Sequence, residues 1–183
     1  MSTNTTCIHE AATNRRRFAL GLLAVAGAGV AADAQPFNAQ ANRRFIDAAF
    51  GRWAAGGTGF FNEVLREDAV WTIIGSGPSA GTYHGRQDFI DRAIAPFAAR
   101  MATPVRPVSR MVWADGEHVI ARWDGEGVAG DGRPYRNSYV WIFRMRDGRA
   151  AEVTAFLDLA LYDEVLRRVP ARPASPPRSQ GRD

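Results

Sequence analysis

The chain contains no lysine; all 23 of its basic residues are arginine. The glycine-rich stretch GSGPSAG (75–81) therefore lacks the Gly-Lys-Ser/Thr core of a phosphate-binding loop. Cysteine is nearly absent too. Cys7 is the single one, and it precedes the folded region, which leaves that region without a disulfide, a thiolate metal site or a cysteine nucleophile. Histidine is sparse: His84 and His118 are far apart and have no carboxylate at ligand spacing, so neither a metal nor a cofactor is expected. No apolar run reaches the roughly 20 residues of a membrane span. A basic stripe is missing as well. The net charge of +4 comes from the ends, because residues 35–166 hold 15 arginines against 16 acidic residues. Nucleic acid is thus not an expected partner.

What is present divides the chain into three. Residues 1–34 have the pattern of a signal peptide. Arg15, Arg16 and Arg17 precede Phe18, a mild apolar stretch runs from Ala19 to Ala32, and Ala32-Asp33-Ala34 offers small residues for cleavage. The paired arginines resemble a twin-arginine export signal. The expected location is periplasmic or secreted, with membrane contact only through the leader. Residues 169–183, rich in Pro, Ser and Arg, read as a disordered tail. The folded unit is 35–168.

Within it, Phe45, Ala48, Ala49 and Trp53 recur at helical spacing over about 38–55, and Gly56-Gly57 ends the helix. A short helix holds Phe60 to Leu65, and 69–74 is an apolar strand. A short extended piece covers 82–84. A third helix spans about 86–101, with Pro96 expected to kink or shorten it. Strands follow at about 105–114, 117–128, 134–146 and 150–157. They are separated by Asp115-Gly116, Asp131-Gly132 and Asp147-Gly148, each a strong hairpin signal. Asp158 fits the N-cap of a closing helix. Helices followed by an antiparallel meander give an α+β class with the helices on one side of the sheet.

The stretches AVWTIIGSGPSAGTYHGRQDFI and YVWIFRMRDGRAAEVTAFLDLALYDEVL resemble the nuclear transport factor 2-like superfamily, and within it the SnoaL-like polyketide cyclases and their relatives. The resemblance covers about 40–168. It implies a cone: a curved antiparallel or mixed sheet wrapped around N-terminal helices (a cystatin-like roll) with an apolar cavity. It also implies a homodimer through the outer sheet face, where Ile142 and Arg144 lie on the parity opposite to Trp141. Family members include ketosteroid isomerases, but the positions of their base, oxyanion acid and tyrosine fall here on Ile73, Trp141 and Ala49 or Phe50. Limonene-epoxide hydrolases carry Arg-x-Asp on a meander strand, matched by Arg122-Trp123-Asp124. Their second aspartate falls on Ala155 and their water-holding residues on Trp71 and Ile73. The cyclases need only one acid/base carboxylate.

Arg122 and Asp124 share one face of a strand. The catalytic reading makes Asp124 an acid/base and Arg122 its partner, for isomerisation, cyclisation or hydration, with Tyr139 or His84 as a candidate acid. The structural reading is a satisfied pair in the wall of the cone, with Asn137 across the hairpin. Trp71, Ile73, Asn137, Tyr139 and Trp141 are the expected ligand contacts, for a small, largely apolar molecule. A non-catalytic binding or dimerisation module of the same fold is the alternative.

Overall fold

The computed structural model describes residues 39–172. The expected leader over 1–34 and most of the expected tail lie outside them. Helix α1 (Ala39–Ala54) carries Ile46, Ala49 and Phe50 on its buried side. It closes with two reverse bonds, Gly57 N to Arg52 O (2.9 Å) and Gly56 N to Trp53 O (3.1 Å). Gly56 adopts φ 107°, the left-handed conformation that this C-cap requires. Helix α2 (Phe60–Val64) leads directly into strand β1 (Leu65–Ile73). That strand starts four residues earlier than its apolar pattern predicts. Leu65 already pairs with Ala150, and a register shift before Val70 takes up the charged Arg66-Glu67-Asp68 segment.

After β2 (Gly81–His84) come α3 (Arg86–Phe89), a π turn (Ile90–Ile94) and α4 (Ala95–Ala98). The helical run continues for two residues past Pro96 and ends early, at Ala98, which is the shortening expected there. The wide turn, in which Ala95 N–H bonds Ile90 O, sets Pro96 in the first turn of α4, where its missing N–H costs nothing. The helix ends at Ala98 and the next strand starts at Met101, which had been expected inside the helix. Strand β3 (Met101–Asp115) is one edge of the sheet and is shifted in register near Pro104 and around Pro107. An edge tolerates residues that cannot donate to the ladder.

Strands β4 (His118–Ala129), β5 (Pro134–Arg146) and β6 (Arg149–Leu157) complete a mixed six-stranded sheet of order β2-β1-β6-β5-β4-β3, with β1 and β6 parallel. The three Asp-Gly hairpins lie where the sequence sets them. At the last, Asp147 (φ 51°) and Gly148 (φ 75°) both take positive φ, the signature of a type I′ turn. Helix α5 (Leu159–Arg168) starts at Asp158, whose carboxylate accepts from Ala160 N (3.0 Å) and Leu161 N (3.3 Å). The chain stays packed beyond 168. Val169 is buried against Met101 and Phe97, and Arg172 N bonds Ala99 O.

The α+β expectation thus holds, with N-terminal helices on one face of a curved mixed sheet. That face is the core. Along β4 the buried residues are Val119, Ala121, Trp123, Gly125 and Ala129; along β5 they are Tyr135, Asn137, Tyr139, Trp141, Phe143 and Met145.

Candidate functional site

Between the sheet and its helices lies a cavity of about 340 Å³. Its sheet wall brings Trp71 and Ile73 of β1 together with Ala155 of β6, Tyr139 and Trp141 of β5, and Trp123 of β4. Phe61, Phe89, Ala93, Ile94 and Phe97 close it from the helices, and Tyr162 joins from α5. Of the five expected ligand contacts, Trp71, Ile73, Tyr139 and Trp141 line this hollow.

The rings lock one another. Trp123 stacks on Tyr139 (3.9 Å, 8°) and Trp71 on Phe89 (4.1 Å, 13°), while Trp141 meets both tryptophans edge-on at 4.8 and 5.0 Å. Such contacts fix ring planes as well as burying area. Gly125 is part of this arrangement. A Cβ there would sit 2.7 Å from the Trp123 ring and 2.8 Å from Val105.

Asn137 is buried on the same face but does not line the hollow, so its expected ligand contact takes another form. Its amide donates to Tyr135 Oη (2.9 Å) and Asp158 O (2.9 Å), and its carbonyl accepts from Asp158 N (3.1 Å). It therefore pins β5 to the start of α5. Tyr135 and Tyr139 share a 2.9 Å hydroxyl contact, so Asn137 supports Tyr139 through one intermediary. Burial pushes the Tyr139 phenol well above its usual range, and the Tyr135 phenol upward as well. Tyr139 is thus a proton carrier at neutral pH and not a base.

Arg122 and Asp124 lie elsewhere. The expectation that they face the hollow is corrected by the register. Trp123 opposes Tyr139 and points in, so its neighbours point out; Asp124 opposes Ser138, not Asn137. On the outer face Asp124 accepts from Ser109 Oγ (2.5 Å), Ser138 Oγ (2.7 Å) and Arg122 Nη1 (2.6 Å). The two hydroxyls, with Arg122 adding to them, hold its carboxyl below the usual range, so it stays ionised. It opens onto an outer depression shared with Glu126 and Leu161. His84, the other candidate acid, is exposed on β2, and its backbone N–H bonds Asp88.

The sequence reading missed Trp123, Trp53 and Arg106. Trp53 completes the ring cluster from the end of α1, 5.0 Å from Trp123. Arg106 lies at the rim but is engaged: its guanidinium donates to Trp53 O (3.3 Å), Gly56 O (3.1 Å) and Gly57 O (2.6 Å). It caps the C-terminus of α1, where a cation is favoured. Among the residues lining the hollow there is no Asp, Glu, His or Cys. The hollow can bind and can donate hydrogen bonds, but it holds no carboxylate or imidazole to take a proton.

Residues 43–153 match the SnoaL-like domain family. No curated protein is similar enough in sequence to match. Solved structures share the fold. An NTF2-like protein from Burkholderia xenovorans is 20% identical, with a TM-score of 0.55, over 71% of this chain and 98% of its own. A protein named provisionally as a SnoaL-like polyketide cyclase, from Jannaschia sp., is 19% identical, with a TM-score of 0.55, over 75% and 99%. TerC, co-crystallised with polyporic acid, is 19% identical, with a TM-score of 0.57, over 69% and 98%.

Proposed function

The chain belongs to the SnoaL-like family, and on that premise we propose that its hollow binds a small, flat, largely apolar molecule of two or three rings. One observation carries this reading: about 340 Å³ of space enclosed by Trp53, Trp71, Trp123, Tyr139 and Trp141, within the size of small-molecule sites, roughly 300–1,000 Å³. Equilibrium dialysis of naphthalene against the full chain tests it. Saturable binding at one site is expected, weakened at least tenfold by Ala98→Trp, which adds a ring at an exposed position of the cavity wall. No saturable binding, or binding indifferent to that ring, would contradict the proposal.

A second reading, isomerisation or ring closure of a bound carbonyl compound, is favoured by the protonated Tyr139 phenol in the wall. It uses Tyr139 as the acid that protonates the carbonyl oxygen, with solvent water receiving the proton that leaves carbon, and it leaves Asp124 and Arg122 out. Tyr139→Phe should abolish turnover while keeping most of the affinity.

The outer face supports a different proposal, pairing with a second copy. Trp113, Ile120, Ile142 and Thr154 form one row across four strands, and Met111, Arg122, Val140 and Phe156 the next. Trp113, Met111 and Phe156 are among its large exposed apolar groups, and a contiguous apolar patch of this kind marks an interaction surface. Sedimentation should show a dimer that Ile120→Lys dissociates. Export through residues 1–34 is part of the same proposal, and Arg16→Lys with Arg17→Lys should retain the protein in the cytoplasm.

A further inference from the structure

The residues that line the hollow are buried or half-buried except at one side. Thr58, Ala98 and Pro104 are the exposed ones, so the mouth opens between the α1–α2 link, the end of α4 and the start of β3. The chain beyond α5 borders it too, because Arg172 N–H bonds Ala99 O (3.0 Å) and its guanidinium bonds Met101 O. The segments that frame this mouth, 53–59, 94–106 and 169–172, hold three arginines and no acidic residue. With Arg100 and Arg106 set aside, the rest of 35–166 has the opposite balance, 13 arginines against 16 acids. The three rim cations are held by backbone carbonyls. Arg100 donates to Pro96 O (2.8 Å) and Leu166 O (3.1 Å), Arg106 to Trp53, Gly56 and Gly57, and Arg172 to Met101. A carbonyl orients a guanidinium without cancelling its charge, and among the described residues no carboxylate pairs with any of the three. Asp131 stands in the neighbouring turn, where Gly130 N–H bonds Arg100 O, but it is matched by Arg133 and Arg168.

We infer that this rim docks on the anionic headgroups of a lipid bilayer, with the mouth of the hollow turned toward the membrane. Docking of this kind does not depend on what the hollow binds. Complementarity selects an anionic partner, and the surface between the cations selects which one. Ala98, Ala102, Pro104, Pro170 and Ala171 are exposed, small and apolar, which suits the headgroup boundary of a bilayer. A nucleic acid would need exposed rings to stack its bases, whereas the rim's rings, Trp53 and Phe97, are half-buried and buried. Each arginine near an anionic leaflet adds a modest, salt-sensitive attraction, so the docking is reversible. The acids in excess elsewhere on the domain are repelled by the same leaflet, which orients the mouth toward it. An apolar occupant then passes between bilayer and hollow without crossing water.

Vesicle sedimentation with the full chain tests this. Phosphatidylcholine vesicles containing roughly one-third phosphatidylglycerol should bind roughly tenfold or more tightly than phosphatidylcholine alone, and about 0.5 M NaCl should remove most of that preference. Ala98→Glu with Pro104→Glu puts two acids on the rim and should cut the preference roughly fivefold or more. Arg44→Glu changes the net charge by the same amount at an exposed site on α1, about 14 Å from Trp53 along the helix. It should leave the preference within about twofold. Residues 1–34 are common to all these chains, so their contribution cancels in the comparison. Should the rim variant fail to fold, hydrogen exchange of the unaltered chain decides. Phosphatidylglycerol vesicles should slow exchange over 94–106 and leave 140–146 of β5 unchanged. No preference for the anionic vesicles, an equal loss in Arg44→Glu, or slowing confined to 1–34 would overturn the inference. So would binding to heparin with none to the vesicles, which marks a polyanion site. Naphthalene dialysis reads the hollow separately: naphthalene bound without vesicle docking leaves the binding proposal standing and removes this one.

Discussion

The two faces of one sheet carry different chemistry at adjacent residues. On the inner face Trp123, Tyr139 and Trp141 are packed ring against ring, and their few polar atoms are indole N–H groups and one phenol hydroxyl. One residue along, on the outer face, Arg122, Asp124 and Ser138 form a partly exposed, hydrogen-bonded polar cluster among exposed aliphatic and aromatic groups. Charge needs water or a partner, and the outer face supplies both. The inner face supplies neither, and it is there that a molecule poor in charge can be enclosed. The ion pair that first attracts the eye in the sequence is thus on the surface, and the residue between its members is at the site.

The largest expected contrast is in alkali. All four tyrosines are buried, and burial raises every one of their phenol pKa values. The unfolded chain loses these protons near pH 10 and the folded chain does not. Stability is therefore fully present below about pH 10 and falls above it, by about 1.4 kcal/mol per pH unit for each tyrosine kept neutral. Absorbance at 295 nm should stay flat past pH 10 and then rise in one step with unfolding. Early titration of the phenols would show an open inner face.

Substitution gives the next contrast. Phe143→Ala, at a fully buried inner position, should cost about 3–5 kcal/mol in urea unfolding. Its outward neighbour Ile142→Ala should cost no more than about 1 kcal/mol in the monomer. Gly125→Ala comes third. The added methyl meets the Trp123 ring and should cost about 1–3 kcal/mol, with a measurable loss of naphthalene affinity.

The smallest effect belongs to the outer pair. Asp124→Asn should change monomer stability by about 0–1 kcal/mol at neutral pH. Because the folded-state pKa of Asp124 is depressed, its contribution is present above the ordinary aspartate range, near pH 4, and is lost as pH falls through the depressed value. The difference in Tm between Asp124→Asn and the parent should therefore vanish in acid. A difference that grows in acid would contradict the assignment.

Much of this was legible from the residues. Apolar spacing, Gly-Gly and Asp-Gly signals and the Asp158 cap place most of the elements, because each is decided locally. The start of β1 at Leu65 and of β3 at Met101 depends on pairing with distant strands, which local pattern does not report. Facing direction was partly legible. The Asp131-Gly132 turn centres the β4–β5 hairpin so that Gly127 opposes Tyr135 and Trp123 opposes Tyr139. Residues of like parity then share a face across that hairpin. Tyr139 and Trp141 inward therefore require Trp123 inward and Arg122 and Asp124 outward. Placing Asp124 and Tyr139 in one hollow ignored that constraint.

The five tryptophans provide the most direct measurement. Trp53, Trp71, Trp123 and Trp141 line the hollow, while Trp113 stands on the outer face, 49% exposed. Two-dimensional ¹⁵N NMR of the indole groups, recorded while naphthalene is added, reads both faces at once. Several of the four inner signals should move with Trp113 unchanged. A shift at Trp113 with the inner four still would contradict binding in the hollow.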